Sequence, residues 1–347
     1  MVYISDEERL EVDGPLDDTV VDFNRYFDIA ALLKGDLPPA PVPKYGIRDD
    51  GHALFYDEQV NFVFGDPEGG KTWLALAAAV EQLRIGSTGR VLVIDLDHNG
   101  ATATVTRLLA LGADRDALAD TERFLYVEPE DSLHAIDVVI DMKAWKPTIA
   151  VVDSMGELLP LFGSSSNSAD DFTTVHSRVL KPLAKAGACV IVIDHLSKGS
   201  DSRTFGAGGT AAKKRAVGGV SLRVRVKDAF TPGKGGSAYL SINKDRHGGL
   251  REHCPSGDRE PLAGVFELKV FEDGVLEPVI HAAKDGQSAP TDFGISGADP
   301  QKIAEDVATL DALDPPPTSQ RDVCGRLSWG GNRAADALRA WRDSRRE

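Results

Sequence analysis

The chain has 347 residues and a formal net charge of −15 at pH 7, with 42% hydrophobic and 27% charged residues. This ordinary globular balance suits one large domain with a small one, and it argues against a membrane or secretory class, because no apolar run approaches ~20 residues and residues 1–18 are acidic. Cys189, Cys254 and Cys324 are far apart and form no CxxC pair, which argues against a disulfide framework or zinc site and predicts a cytoplasmic protein.

Acidic and basic residues are concentrated in different parts of the chain. Residues 1–60 hold 14 Asp and Glu against 5 Lys and Arg, whereas residues 196–251 hold 12 Lys and Arg against 3 Asp. A concentrated basic stretch predicts a phosphate-binding surface even in an acidic protein. From charge alone, a solvated basic face is an equally good interpretation.

The predicted elements indicate an α/β domain between two smaller segments. Residues 1–45 are acidic and end in a proline-rich stretch, which predicts an extended N-terminal arm. Short apolar strands then alternate with helical patterns, as in a mostly parallel sheet. The predicted strands are 60–64, 90–94, 124–127, 149–152, 190–193, 219–226 and 238–242, followed by an antiparallel edge at 265–271 and 275–280. The predicted helices are 72–84, 101–111, 133–144 and 170–186.

A phosphate-binding loop is predicted after the first of these strands. Residues 65–72 match the Walker A pattern G-x-x-x-x-G-K-[ST] between an apolar strand and an Ala- and Leu-rich helix. In this motif backbone N–H groups and the helix N-terminus bind phosphates, the lysine reaches the β- and γ-phosphates, and the hydroxyl binds Mg²⁺. A glycine-rich turn that binds nothing is the alternative. The pattern predicts ATP and Mg²⁺ as cofactors, with a nucleotide site at Gly65, Asp66, Pro67, Glu68, Gly69, Gly70, Lys71, Thr72 and Trp73.

A carboxylate after a second buried strand predicts the other half of the site. Asp153 follows the apolar residues 149–152, about 80 residues after the phosphate loop. In P-loop enzymes such an acid orients Mg²⁺, although many strands also end in an aspartate that caps a helix. The spacing favours the first interpretation, with Thr72 and Asp153 as the predicted magnesium ligands.

Three further segments resemble the RecA/DnaB-like P-loop ATPases. Residues 93–99 are similar to the strand end at which that family carries a glutamate that polarises the attacking water, and Asp97 occupies the glutamate position. Because aspartate is one methylene shorter, a role as general base needs a closer approach or an intervening water. Helix capping and solvation are the alternative for Asp95 and Asp97.

Residues 190–198 resemble the segment that ends in a γ-phosphate sensor in this superfamily, a position that carries histidine in RepA-type plasmid helicases. The resemblance implies that His195 is the sensor and couples the phosphate to the following loop. A histidine bonded to its own sheet edge is the alternative. Residues 199–209 occupy the place of the family's DNA-contacting loop, where Gly-rich sequence and cations suit a single strand. The implied DNA contacts, with incidental charge as the alternative, are Arg203, Lys213, Lys214 and Arg215.

Lys244 and Arg246 resemble the replicative-helicase pair that reaches into the neighbouring subunit's ATP. Two cations there would neutralise charge that develops on the γ-phosphoryl oxygens, so activity would require an oligomer. A solvated basic turn is the alternative. The same stretch reads Asn-Lys-Asp-Arg, and the missing final aspartate argues against a GTPase, which needs Asn-Lys-x-Asp.

The C-terminal residues predict a separate helical unit. Residues 284–300 have the composition of a linker, and helical patterns follow at 301–310, 320–327 and 333–345. A Gly-containing turn before the last pattern is typical of a helix-turn-helix over residues 301–347, with Arg333 and Arg339 as predicted DNA contacts. A small bundle that makes subunit contacts is the alternative.

These patterns predict a RecA-like ATPase core over residues 46–283. The resemblance implies an ATP-hydrolysing motor, helicase-like, that works on single-stranded or forked DNA in replication or recombination as a hexameric ring or filament. Its catalytic residues would be Lys71, Asp97, Asp153, His195, Lys244 and Arg246. Two alternatives stay open: an ATP-switched loader or recombination mediator that does not unwind, and a magnesium-dependent DNA nuclease built on Asp95, Asp97 and Asp153.

Overall fold

The computed structural model describes residues 28–35, 37, 39–165, 168–196, 211–271, 275–289 and 300–345, except for the side chains of residues 211, 300–303, 331, 332, 335, 336, 339 and 343. The chain divides into two compact units, Met1–Ala40 and Pro41–Glu347. In the first unit, helix α1 (Ile29–Lys34) begins after Asp28, whose carboxylate accepts a 2.8 Å hydrogen bond from the Ala31 amide. Among the described helices, none has the length and apolarity that crossing a membrane requires.

The second unit is built on a large twisted sheet and a separate antiparallel ribbon of β1 (Pro43–Ile47) and β2 (Ala53–Tyr56). The strands of the sheet are β3 (Val60–Gly65), β4 (Val91–Asp95), β5 (Phe124–Val127), β6 (Ile149–Asp153), β7 (Cys189–His195), β8 (Val220–Thr231), β9 (Gly235–Asp245), β10 (Leu262–Val270) and β11 (Leu276–Ala282). Within the described chain their order is β11-β10-β9-β8-β3-β7-β6-β4-β5. Neighbouring strands are parallel from β8 to β5 and antiparallel from β8 to β11.

Helices connect the parallel strands and cover both faces of the sheet. They are α2 (Lys71–Val80), α3 (Ala101–Ala110), α4 (Arg115–Ala119), α5 (Ser132–Trp145), α6 (Met155–Leu161), α7 (Ala169–Val175), α8 (Lys181–Lys185) and α9 (Ala211–Ala216). A π-helical turn, His176–Leu180, joins α7 to α8 without a break. Crossover helices of this kind are what parallel strands require.

Alternation along the buried strands sends successive side chains to opposite faces. On one face Val63, Val93 and Ile191 pack with α2 and α3, and on the other Phe62, Leu92 and Val190 pack with α5 to α8. Both faces are therefore apolar, which explains the near-continuous hydrophobic runs of these strands. The carboxyl ends of β3, β7, β6 and β4 lie at the same edge of the sheet, because Gly65 is paired with His195, and Asp153 with Asp95.

The structure confirms the predicted α/β architecture with a mostly parallel central sheet, and it changes several details. The β1–β2 ribbon was not predicted, and β1 begins at Pro43, inside the proline-rich text assigned to the arm. Helix α2 ends at Val80, short of the predicted 84, because the following amides of Gln82 and Leu83 bond to the carbonyl oxygens three residues earlier, those of Ala79 and Val80, both at 3.0 Å. The Glu81 carboxylate also accepts hydrogen bonds from the Gly46 and Ile47 amides. Strands β8 and β9 run beyond their predicted ends and form a long hairpin.

The C-terminal residues form a small helical unit of α10 (Pro300–Asp311), α11 (Gln320–Leu327) and α12 (Gly331–Asp343). Ser319 caps α11, and its hydroxyl accepts a 3.2 Å hydrogen bond from the Asp322 amide. A helical unit is therefore present where one was predicted, although the arrangement does not clearly identify a helix-turn-helix. Its own apolar core consists of Leu310, Val323, Ala334, Ala337, Leu338 and Trp341.

A partly exposed histidine, His281, connects the antiparallel edge of the sheet to the turn after β1. The His281 ring contacts Asp49 through Nδ1 at 2.9 Å and Glu267 through Nε2 at 2.8 Å. Hydrogen bonds to Glu267 and Asp49 raise the pKa of His281 above its ordinary 6.5. The charged ring thus stabilises the fold fully below pH 6.5, and this stabilisation is lost as the pH rises through the folded-state pKa.

We expect His281→Asn to remove a pH-dependent part of the stability. The free energy of unfolding of the wild type should fall as the pH rises from 6 to 9. The fall should be no more than about 1 kcal/mol, because the ion pairs of His281 with Asp49 and Glu267 are partly exposed to solvent. The variant should show no such fall. Urea titrations across this pH range measure the difference. His98→Asn, at an exposed left-handed position, is the control, and equal slopes in wild type and His281→Asn would contradict the expectation.

Candidate nucleotide-binding site

The predicted phosphate loop connects β3 to α2 at the carboxyl end of the sheet. A Cβ atom on Gly65 would collide with the backbone oxygen of Val224 on the neighbouring strand β8. Gly70, the residue before α2, has φ +85°, and Glu68 also lies in the left-handed region at φ +58°. Glycine is thus required at Gly65 by a close backbone approach and at Gly70 by conformation. The turn leaves the N-terminus of α2 directed at the loop, as a phosphate site requires.

Lys71 is folded back over this loop. Its ammonium group donates hydrogen bonds to the backbone oxygens of Asp66 at 2.6 Å and Gly65 at 3.3 Å, and the residue is 5% exposed. Burial lowers the pKa of Lys71, and the charges of Asp153, Asp97 and Asp194 oppose that change. Phosphate oxygens are stronger acceptors than carbonyls, so they would draw the ammonium from the loop backbone.

Thr72 and Asp153 meet at the predicted magnesium position. The Thr72 hydroxyl donates a 2.9 Å hydrogen bond to Oδ2 of Asp153 at the end of β6. A hydroxyl and a carboxylate side by side provide the hard oxygen ligands that Mg²⁺ prefers. A bound Mg²⁺ ion commonly keeps several waters and also binds substrate phosphates. These two side chains would hold the ion and bring its charge to the β- and γ-phosphates of the nucleotide.

The carboxyl group of Asp153 is buried among other acids. Burial raises its pKa from 3.8 to about 6, and the charges of Asp97 and Asp95 add to the increase, whereas the Thr72 hydrogen bond and the Lys71 charge oppose it. A bound cation would relieve this cost, because it favours the ionised form.

Asp97 lies against the same strand end. The amides of Leu96 and Asp97 donate hydrogen bonds to the Asp153 backbone oxygen at 2.5 and 3.0 Å. The Asp97 carboxylate accepts a 2.7 Å hydrogen bond from the Ser154 hydroxyl, and its other oxygen is 3.7 Å from Nε2 of His195. The His195 and Ser154 interactions lower the pKa of Asp97. Asp97 is thus ionised beside the predicted phosphate position, while its role as general base stays a prediction.

Ser154 is a site residue that the sequence reasoning missed. It is fully buried and its hydroxyl holds the Asp97 carboxylate. Its position directly after the predicted magnesium ligand was the only local sign of a role. Its partner is 57 residues away in the chain, and no local pattern indicates such a contact.

His195 stands at the end of β7, next to the phosphate loop. Its strand pairs in parallel with β3, so that His195 lies opposite Gly65. Its Nδ1 atom is buried and has no hydrogen-bond partner within the described residues, and its Nε2 faces Asp97. The histidine therefore connects the loop to Asp97, a position compatible with the predicted sensor role.

The Asp95 carboxylate, on the strand next to Asp153, is engaged by neutral donors. Its oxygens accept hydrogen bonds from the Tyr126 hydroxyl at 2.7 Å, the Gly100 amide at 3.0 Å and the Asn99 side chain at 3.1 Å. It therefore holds the loop between β4 and α3. Among the described residues, no group of three or more His, Cys, Asp or Glu side chains is placed to bind a metal ion together.

The predicted DNA contacts have different environments. Arg203 lies outside the described residues, as does the Arg339 side chain. Lys213 is buried and its ammonium forms a 2.7 Å ion pair with the buried Asp194, so it does not face solvent. Burial raises the pKa of Asp194, and the lysine opposes this change. Arg333 forms two hydrogen bonds to Asp306 at 2.6 and 2.9 Å and stacks on Trp329, so its guanidinium is already engaged. Exposed Arg215 and half-buried Lys214 lie on α9.

Lys244 and Arg246 lie at the amino end of the parallel strands, far from the phosphate loop of their own chain. Asp245 between them pairs with Val220, whereas Gly65 pairs with Val224, about 13 Å further along the strands. Lys244 donates to the backbone oxygens of Lys214 and Arg215 at 2.6 and 3.3 Å. Arg246 donates to those of Val217 and Arg215 at 2.9 and 2.8 Å. Neither cation reaches Lys71 within one subunit.

We expect the buried carboxyl group of Asp153 to cost stability without nucleotide. Its raised pKa means that the folded chain loses up to about 3 kcal/mol as the pH rises from 3.8 to about 6, after which the loss is constant. Asp153→Asn keeps an acceptor for Thr72 and should be more stable than the wild type at pH 7.5 in EDTA. Urea unfolding measures this, with the exposed Asp141→Asn as control. A variant no more stable than the wild type would contradict the assignment.

The comparisons with known proteins agree with this geometry. Residues 46–201 match a family model described as an AAA domain. A search of curated proteins found no match to the chain. The matched range contains the phosphate loop, Thr72, Asp97, Asp153 and His195, and a P-loop domain of this type implies nucleotide binding, typically with Mg²⁺, and NTPase activity. Residues 46–201 are thus a P-loop ATPase domain of the RecA-like AAA family.

Proposed function

We propose that this chain is an ATP-hydrolysing motor of the RecA/DnaB-like class that works on DNA, with helicase-like activity in replication or recombination. The observation that carries the proposal is the division of charge in the site. Lys71, Thr72 and Asp153 converge at the carboxyl end of the sheet, whereas Lys244 and Arg246 lie at the opposite end. In this proposal, Lys244 and Arg246 of a second copy act at the γ-phosphate.

Hydrolysis would need more positive charge at the phosphates than Lys71, the cation that the described residues place at the loop, supplies. Negative charge spreads over the γ-phosphoryl oxygens in the transition state, and an added arginine can raise the rate by 10³ to 10⁵-fold in related chemistry. Lys71 and a magnesium ion supply part of this charge. Lys244 and Arg246 of an adjoining copy would supply the rest, so ATP turnover would depend on assembly as a ring or filament.

DNA is the proposed substrate because the basic stretch follows the predicted sensor. His195 lies beside Asp97 at the end of β7, and the next residues of the sequence carry Arg203 and lead to Lys214 and Arg215. A change in phosphate contacts at His195 would be transmitted directly to this stretch. Backbone phosphates of a single strand suit a glycine-rich, basic sequence of this composition.

An ATP-switched loader or recombination mediator is the second candidate. One observation favours it: the Asp97 carboxylate is engaged by Ser154 and lies close to His195. A short carboxylate held in this way positions water less readily than a free glutamate, so turnover would be slow. In this case ATP binding would control assembly on DNA, and no strands would be separated.

The first test is the ATPase rate with and without single-stranded DNA, measured together with the mass of the assembly. The motor proposal predicts that single-stranded DNA stimulates turnover at least about tenfold and that the protein is oligomeric, since both effects arise from the shared site. Forked substrates then separate the candidates, because only the motor unwinds them. A monomer with unstimulated ATPase activity would refute the motor and favour the loader or mediator.

The second test asks whether Lys244 and Arg246 act in the neighbouring site. Lys71→Ala and Arg246→Ala should each lower kcat at least about 100-fold when assayed alone. A mixture of the two should regain activity, because some interfaces then combine an intact phosphate loop with an intact arginine. Circular dichroism checks the fold of each variant. A mixture no more active than its components would show that Arg246 serves only its own α9.

A further inference from the structure

A groove outside the nucleotide site lies between α5 and the segment of the π-helical turn and α8. It encloses a volume of about 670 Å³, which is in the range of ligand-binding clefts. Its floor is aliphatic and comes from both elements. The apolar residues are Ile136, Val139, Ile140, Pro182 and Ala186.

The apolar floor continues onto exposed surface of α5. Ile140 is 52% exposed, and Leu133, two turns earlier on the same helix, is 70% exposed. Ile136 lies between them at helical spacing, so the three form one stripe. An exposed apolar stripe beside a groove is typical of a surface that binds another chain.

Five cations surround this floor. They carry no ion pair within the described part of the chain, although the protein as a whole is strongly acidic. Arg178 is also 5.8 Å from the Phe162 ring centroid. Uncompensated positive charge around an apolar floor favours an acidic ligand with apolar groups. The cations are Lys143, Lys146, Arg178, Lys181 and Lys185.

The groove continues toward the side of the domain that carries Lys244 and Arg246. A second cavity of about 350 Å³ shares Ser177, Lys181 and Lys185 with it and extends to Gly218 at the amino end of β8. The Arg246 amide and guanidinium bond the backbone of Gly219 and Val217 next to this cavity. The groove is therefore continuous with the surface at which the proposed function places an adjoining copy.

We propose that the groove binds the acidic segment of residues 1–27 from a second copy of this chain. The segment has eight Asp and Glu residues against two Arg, and eleven Val, Ile, Leu, Phe and Tyr residues between them. Its acids match the five cations, and its apolar side chains match the aliphatic floor. The proposal rests on the proposed function only in placing the adjoining copy at this side.

An acidic peptide suits the groove better than a nucleic acid does. Single-stranded nucleic acids are bound by grooves in which bases stack on aromatic rings. The residues that line this groove include no aromatic side chain. Aliphatic side chains at helical spacing accept the apolar anchors of a peptide instead.

The test uses full-length protein and light scattering to measure the mass of the assembly. The groove variant Lys143→Glu/Lys185→Glu should dissociate at concentrations at least about tenfold higher than the wild type does, because attraction becomes repulsion. Lys234→Glu/Lys284→Glu makes the same charge change at exposed positions outside the groove and should assemble like the wild type. An excess of a synthetic peptide of residues 1–27 should dissociate the wild type. The same peptide with amides in place of its carboxylates should not.

Several outcomes would overturn the proposal. These are a monomeric wild type, unchanged assembly of the groove variant, equal loss of assembly in the control variant, or release of the assembly by a single-stranded oligonucleotide but not by the peptide. Calorimetry with Mg²⁺-ATP separates this result from the proposed function, because the groove variant should bind ATP as tightly as the wild type. If the wild type did not bind ATP, the nucleotide site would be refuted, but the test of the groove would remain valid.

Discussion

The contact between the Thr72 hydroxyl and the Asp153 carboxylate sets the geometry on which the site depends. The two groups come from different elements, the start of α2 and the end of β6, and strand β7 lies between β6 and β3 in the sheet. A one-residue slip of β6 would turn Asp153 to the other face of the sheet. The packing of both sheet faces therefore determines where a magnesium ion and its nucleotide bind.

Four carboxylates near the carboxyl end of the sheet are stabilised in four different ways. Asp95 is bound by neutral donors, Asp97 by Ser154 with His195 nearby, and Asp194 by a buried lysine. Within the part of the chain that the structure describes, Asp153 has only the Thr72 hydroxyl as a side-chain donor, and burial raises its pKa to about 6. The least compensated acid is the one that the site assigns to the metal. This distribution is expected where binding energy from the ligand offsets the cost of an unfavourable charge.

Much of this architecture was predictable from the sequence, because its signals are local. Apolar runs located the parallel strands, and the glycine positions around Lys71 located the phosphate loop. Non-local contacts were not predictable. Lys213 reads as part of a basic triplet with Lys214 and Arg215, yet it is buried against Asp194, 19 residues earlier, and a lysine in an ion pair has the same sequence signature as one in a phosphate-binding patch. The β1–β2 ribbon was not predicted for a related reason. Pro43 suggested an extended arm, and the residues with which β1 pairs follow a turn.

The two ends of the parallel strands differ in charge, and this difference constrains how copies can associate. The carboxyl end carries Asp97 and Asp153, whereas the amino end carries Lys244, Arg246 and the cations around the groove. Complementary ends favour head-to-tail contact, in which one copy's amino end meets its neighbour's carboxyl end. Such an interface would be heterologous, and each copy would keep one unused surface until a ring closed or a filament grew. An isologous dimer would instead place like charges opposite each other, at a cost in free energy. The charge distribution that would complete the nucleotide pocket thus also favours an assembly that repeats it.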